Sequence, residues 1–271
     1  MAMFKISVCL LTYNSARLLH EVLQPLISIA DEIIIVDSGS SDETINISRG
    51  YGIEPIYHPF NTHGEQMNHA TGLASHDWVL CMDSDEILDE QTTAFILKLK
   101  QGEEPEQGQA WRFSRYWFVL GEQVRTIYPI SSPDFPVRLY NRRQTRFNDR
   151  PVDDQAEGFI NSSVIPGFVR HDTFYTIHEV FNKLNTYTTR LVINKKIKPS
   201  LLRGIISAIG AFFKWYLFSG AWRKGRVGLV TGLYATFYSF LKYFKAWYWD
   251  GKLNSNTCRE NPSSARPQNQ D

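Results

Sequence analysis

The stretch Glu32-Ile-Ile-Ile-Val-Asp37-Ser-Gly-Ser-Ser-Asp42-Glu-Thr44 decides the fold. Ile33 to Val36 follow one another with no polar alternation, so a strand here is covered on both faces, as in a parallel sheet. The strand ends in a carboxylate, and Ser40 and Glu43 stand at capping-box spacing for a helix over Glu43–Tyr51. The same alternation continues on either side. Phe4–Leu11, Glu54–His58 and Trp78–Asp83 read as strands, and Ala16–Ile29, Gly64–Ala74 and Gln91–Lys100 as helices, with a second capping box at Thr62 and Glu65. Strand and helix in turn predict an α/β domain whose mostly parallel sheet carries helices on both faces. After Gly102 the pattern breaks at GEEPEQGQ; WRFSRYWFV and FPVRLY then read as edge or mixed-sheet strands. No repeats are present.

The 271 residues hold 29 Lys and Arg against 28 Asp and Glu, a balance that argues against a dedicated nucleic-acid binder or an acidic disordered chain. The balance hides a split. Residues 1–194 carry 16 basic and 25 acidic side chains, whereas residues 195–252 carry 11 basic and one acidic, Asp250. The reading is therefore an α/β domain over 1–194, a helical segment over 195–252 and a disordered tail over 253–271, rich in Asn, Ser, Pro and Gln. Three cysteines cannot all pair, and Cys9 and Cys81 lie in apolar runs where a reduced thiol packs as a hydrophobe. The N-terminal run lacks the apolar length and cleavage site of a signal peptide, so the expected location is cytoplasmic.

Ligands of such sheets bind at the carboxyl ends of the strands, near the point where strand order reverses. Three polar clusters sit there: Thr12-Tyr13-Asn14, Asp37 with Asp42, and Asp83-Ser84-Asp85-Glu86. Asp83 and Asp85 can place oxygens around one hard divalent cation that also binds a diphosphate. Asp42 reads equally as a helix cap and Asp37 as a turn acid. His63, His69 and His76 show no ligand spacing and read as helix-surface and loop residues.

SVCLLTYN, EIIIVDSGSSDET, GEQMNHATGLASHDWVLCMDSDE and RLYNRR together resemble the family 2 inverting glycosyltransferases of GT-A fold, a Rossmann-like nucleotide-sugar transferase architecture. The similarity is nearer to the lipopolysaccharide core enzymes that add glucose to inner-core heptose, and runs over about residues 4–250 through HDTFYTIHEVFNKLNTYTTR. The resemblance implies that Thr12, Tyr13 and Asn14 line the base and ribose pocket. Asp37 would accept from the uracil with Asp42 nearby, and Gln66 and Asn68 would approach the donor's phosphates or sugar. Asp83 would touch ribose or metal, Asp85 would be the principal ligand of Mg²⁺ or Mn²⁺, and His171 would stand near diphosphate and metal. Arg138 reads as a phosphate or acceptor contact or as a strand-edge arginine. Inversion needs a base opposite the leaving group. The subfamily has Val-His-Glu after its RL motif, with the Glu as base; here Val152-Asp153-Asp154 puts Asp154 on the Glu position and Asp153 on the His position. The departure leaves open which of the two is the base, and which acceptor is served. The implied donor is a UDP-sugar, UDP-glucose first.

From Ile205 to Trp249, 15 of 45 residues are aromatic, interleaved with Lys214, Arg223, Lys224, Arg226, Lys242 and Lys245. The apolar runs 204–213 and 227–241 fall short of the roughly 20 residues that span a bilayer. Basic amphipathic helices on the cytoplasmic face of the inner membrane are the favoured reading, close to a lipid-linked saccharide acceptor. A helical hairpin on the catalytic domain, an oligomer interface and single-strand binding are the alternatives.

Overall fold

The computed structural model describes residues 4–150 and 153–253. The expectations for Val152 and for the tail after residue 253 lie outside the described residues. Two compact units divide after Ile177. The composition changes later, at 194/195, because the helix that closes the acidic region belongs with the helices that follow it.

The first unit contains β1 (Ile6–Thr12), α1 (Leu19–Ile29), β2 (Glu32–Asp37), α2 (Thr44–Gly50), β3 (Ile56–Tyr57), α3 (His63–Leu73), β4 (Trp78–Asp83), β5 (Glu86–Leu88) and α4 (Glu90–Lys100). Strands β6 (Gln109–Arg112), β7 (Arg115–Val119), β8 (Glu122–Gln123), β9 (Thr126–Ile127), β10 (Ile130–Ser131) and β11 (Val137–Asn141) follow. Strands β12 (Arg146–Phe147), β13 (Ala156–Glu157), β14 (Asn161–Val164) and β15 (Val169–Phe174) complete it. The main sheet has seven strands in the order β14-β6-β11-β4-β1-β2-β3. Its β4-β1-β2-β3 half is parallel throughout, while β11 runs antiparallel to both β4 and β6. A second sheet, β5-β15-β7-β8, begins where β4 ends. The stretch WRFSRYWFV thus serves two sheets: its first half is β6, its second half β7.

Both faces of β1 are buried, as a run without alternation requires. Ile6, Val8 and Leu10 pack with Leu19, Val22, Leu23 and Leu26 of α1 and Ile96 of α4. Cys9 and Leu11 face the other way, onto Met67 and Ala70 of α3. Cys9 and Cys81 stand opposite each other in the β1–β4 register and are free thiols. Burial pushes the Cys81 thiol up to about 12, so it packs as a hydrophobe.

Two local expectations are corrected. Ser40 does not cap a helix: its hydroxyl donates to Asp37 and accepts from the Asn14 N–H, and α2 begins at Thr44. Helix α1 begins at Leu19 rather than Ala16, because the N–H groups of Ser15 and Ala16 donate to Thr44 and Asp42 instead. Thr62 does cap α3, accepting from the Glu65 N–H.

The second unit contains α5 (Ile177–Asn194), α6 (Leu201–Phe212) and α7 (Gly225–Leu253). Helix α6 runs on through a π-helical turn, Phe213–Phe218. This 18-residue helix, Leu201–Phe218, is long and apolar enough to cross a membrane by length and composition, which corrects the shorter span read for 204–213. Gly204 of α6 lies against Phe240 and Tyr243 of α7, and Gly232 of α7 against the Tyr216 ring. Lys245 of α7 donates to Asn185, Thr188 and Thr189 of α5 at 2.7–2.8 Å.

Candidate functional site

Register brings the three strand ends level: Thr12 pairs with Asp37 across β1–β2, and Leu11 with Asp83 across β1–β4. The Asp37 carboxylate is buried and accepts from the Thr12 hydroxyl at 2.7 Å, the Gly39 and Ser40 N–H groups and the Ser40 hydroxyl. All four of its acceptor positions are taken, so it frames the loop; a base contact would have to displace one partner. Asn14, at a φ of 48°, turns so that its Oδ1 accepts from the Ser41 N–H. Asp42 accepts from the Ala16 N–H and from both the N–H and the hydroxyl of Thr44. Burial pushes Asp42 up, but these donors outweigh it and hold the carboxyl below its ordinary value. Tyr13 remains exposed at the mouth.

Gln66 and Asn68 are tethers. Gln66 is buried, donates to Ser38 and the His58 carbonyl and meets His58 Nδ1 at 2.8 Å. Asn68 pairs with the backbone of Phe147, donating to its carbonyl at 2.8 Å and accepting from its N–H at 2.9 Å. The first two loops join the third through Ser15 and Ser84, whose hydroxyls lie 2.6 Å apart.

The turn between β4 and β5 gathers the charges. Asp83 accepts from Arg138 at 2.6 Å and from His63 Nε2 at 2.8 Å, one on each oxygen. Burial pushes the Asp83 carboxyl up, yet the Arg138 guanidinium and His63 outweigh this and hold it well below the carboxylate range. Arg138, expected to contact phosphate or acceptor, is only 4% exposed and also donates to Glu86. Arg115 of β7 bonds Glu86 at 2.7 Å and Asp134 beside it, and Trp117 donates to Asp134 at 2.9 Å. Both guanidiniums pair with internal carboxylates and also line the cleft beside this turn; Arg138 pairs through Nη2, and its buried Nε has no partner among the described residues.

Asp85 meets His171. β15 lies antiparallel to β5 with His171 opposite Glu86, which brings its Nε2 to 3.1 Å from Asp85 and 2.9 Å from the Thr173 hydroxyl. The ring packs on Trp117 with centroids 4.0 Å apart, and its buried Nδ1 has no hydrogen-bond partner among the described residues. Among the described residues no three His, Cys, Asp or Glu side chains converge to hold a metal by themselves. A carboxylate and an imidazole side by side offer one oxygen and one nitrogen to a divalent transition-metal cation whose other positions phosphate and water oxygens would fill. Asp83 carries one donor on each oxygen, so half of its acceptor positions are taken by Arg138 and His63.

Asp154 lines a cleft of about 810 Å³ together with Asp83, Arg112, Asp134, Phe159 and His63. Asp153 lines the same cleft but is exposed and sits at a φ of 61°. His63, read from sequence as a surface residue, instead bridges the site: Nδ1 lies 2.7 Å from Asp154 and Nε2 2.8 Å from Asp83. Burial pushes its imidazole down, but the two carboxylates overrule this and lift it to about 10. The one sequence signal for this role is its place directly after the Thr62 cap, at the helix end nearest the strand rim.

A family model described as "Glycosyl transferase family 2" matches residues 7–155, more than half of the chain. The chain belongs to glycosyl transferase family 2. Among the relatives of this transferase is the lipopolysaccharide core biosynthesis glycosyltransferase LpsC of Rhizobium meliloti, 26% identical over 253 residues, covering 87% of this chain and 89% of that one. An uncharacterized glycosyltransferase of Rickettsia typhi is 25% identical over 256 residues, covering 90% and 87%. Of the solved structures, S. aureus TarS 1-349 in complex with UDP aligns over 92% of both chains at 16% identity and a TM-score of 0.42. Glucosyl-3-phosphoglycerate synthase of Mycobacterium tuberculosis, with Mn²⁺ and UDP-glucose, aligns over 52% of this chain and 57% of that one, at 20% identity and a TM-score of 0.38. The family 2 transferase has the α/β architecture expected from its sequence, parallel over β4-β1-β2-β3 and mixed beyond β4.

Proposed function

We propose that this transferase moves a hexose, glucose first, from a UDP-sugar to a hydroxyl of a lipid-linked saccharide such as lipopolysaccharide inner core, with inversion at the anomeric carbon. The carrying observation is the division of labour around one turn. Asp85 pairs with His171, while Asp83, two residues earlier, connects through His63 to Asp154. Asp85 and His171 would hold a divalent cation. Bound there, Mg²⁺ or Mn²⁺ would neutralise charge developing on the departing nucleoside diphosphate. Asp154 Oδ1 would take the proton of the acceptor hydroxyl as it attacks, and the loops framed by Asp37, Asn14 and Asp42 would seat the nucleoside against Tyr13. The name of the LpsC relative, lipopolysaccharide core biosynthesis, favours the inner-core acceptor. A polyprenyl-linked or other surface glycan is the second reading, favoured by Asp153-Asp154 standing where the resembled subfamily has His-Glu.

Helix α6 supports attachment to the cytoplasmic face of the inner membrane. Gly204 and Ala211 form its buried side, and Leu202, Ile206, Ile209 and Phe213 are exposed. At about 100° per residue these four point away from Gly204, with Arg203 and Lys214 at the flank, as in helices that lie in the headgroup boundary.

Thermal shift tests the donor. UDP-glucose with Mn²⁺ is expected to raise the melting temperature, since ligand that binds only the folded state stabilises it. Asp85→Ala should lose the Mn²⁺-dependent part of the shift. Asp154→Asn should keep the shift and lower turnover roughly 10²- to 10⁴-fold, the range for a general base. Indifference to every UDP-sugar tried would overturn the reading, and unchanged turnover in Asp154→Asn would remove Asp154 from its role.

A further inference from the structure

We infer that His63 is a positioning residue that clamps Asp154 to the Asp83 turn, so that Asp154 rather than Asp153 meets the acceptor hydroxyl. The inference rests on the reading of the Asp153-Asp154 loop as the source of the base. Its ground is a chain of fixed groups. Buried Glu86 binds Arg138, Arg138 binds Asp83, Asp83 binds His63 Nε2, and His63 Nδ1 binds Asp154 Oδ2. No exposed, swinging side chain interrupts the series. Asp154 Oδ1 has no partner among the described residues, so it is the oxygen left to the cleft.

Helix α3 is shaped to receive the loop that carries Asp154. The His63 ring meets Phe147 edge-on at 5.6 Å, and Asn68 binds both backbone groups of Phe147. Between them lies Gly64. A Cβ there would fall 2.6 Å from the Asn148 carbonyl oxygen and 3.5 Å from the Asp154 Cβ, so the loop could not come as close to any other residue. A close approach is what an aspartate needs in order to act where the resembled subfamily uses the longer glutamate. Asp153, at positive φ, takes the outside of the bend; it is exposed, whereas Asp154 is held inside.

Two amides separate the two halves of the clamp. In His63→Asn the side-chain N lies near the place of Nδ1, keeping a donor for Asp154 and giving up Asp83. In His63→Gln it lies near the place of Nε2, keeping Asp83 and giving up Asp154. The readouts are kcat and KM for UDP release from UDP-glucose with Mn²⁺, together with amide hydrogen exchange of residues 147–150 and 153–157. His63→Gln should lose about 100-fold in kcat, the cost of a misplaced catalytic group, with KM for UDP-glucose within about twofold of wild type. Its loop amides should exchange faster. His63→Asn should stay within about tenfold in kcat and keep loop protection near wild type. Equal losses in the two variants, or loop exchange in His63→Gln that matches wild type, would overturn the clamp. Asp154→Asn separates this from the base reading: if it turns over normally, the base assignment falls; if it is inactive while both His63 variants work as wild type, only the clamp falls.

Discussion

Asp37 shows how a conspicuous acid at a strand end can be structural. Four donors surround its carboxylate, so an amide there turns an NH₂ group towards an N–H or O–H. Asp37→Asn is expected to cost about 1–3 kcal/mol, the range for an unsatisfied buried polar group, read as a lower urea midpoint at unchanged slope. The candidates Asp83, Asp85, His171 and Asp154 were legible because carboxylates and a histidine stood where strands end or where the resembled motif placed them. What their side chains touch was not. Gln66 and Asn68 were placed near the right loops, yet their amides bind backbone and neighbours. His63 was illegible for a simple reason: its partners lie 20 and 91 residues away, and spacing to other histidines says nothing about that.

Among the elements, β3 is the short strand Ile56–Tyr57 inside the longer Glu54–His58 expected, whereas β2 and β4 were legible residue for residue, since Glu32–Asp37 and Trp78–Asp83 are apolar runs bounded by turns. The antiparallel part was not, because a mixed-sheet strand and a strand that changes sheets share one apolar pattern; only the break at Phe113-Ser114 separates β6 from β7. The start of β2 carries a pH-sensitive joint. Glu32 accepts from the Ser7 hydroxyl at 2.6 Å and from the N–H and hydroxyl of Ser75 at 2.8 Å, tying β1 and the α3–β4 connection to β2. Burial raises its pKa, but these donors more than reverse that and leave it below the ordinary value. A carboxyl depressed in the folded state adds stability above its unfolded pKa of about 4.3 and loses it as pH falls through the folded value. Glu32→Gln should therefore lower the melting temperature at pH 7 and reduce the further drop measured as the pH falls from about 5 to well below about 4.3.

The whole molecule carries its charge unevenly, and the helices after Ile177 take most of the excess of Lys and Arg. Ile206→Glu combined with Ile209→Glu should release the protein from anionic phosphatidylglycerol vesicles in a sedimentation assay while leaving its melting temperature near wild type, because both residues are exposed. Binding of the unchanged protein should weaken as salt screens the basic flank. Retention of the double variant on vesicles would exclude α6 as the contact. The turn at Asp83-Ser84-Asp85 has a further consequence. One of its carboxylates ends a strand of the seven-stranded sheet, and the other leads into the four-stranded sheet. Arg138, from the first sheet, and Arg115, from the second, meet on Glu86. The groups proposed for chemistry are thus also the seam between two separately hydrogen-bonded layers. A substitution at Asp83 or Glu86 is therefore expected to lower the cooperativity of unfolding, whereas one at Gln155 or Phe159 changes the lining of the cleft and leaves that seam in place.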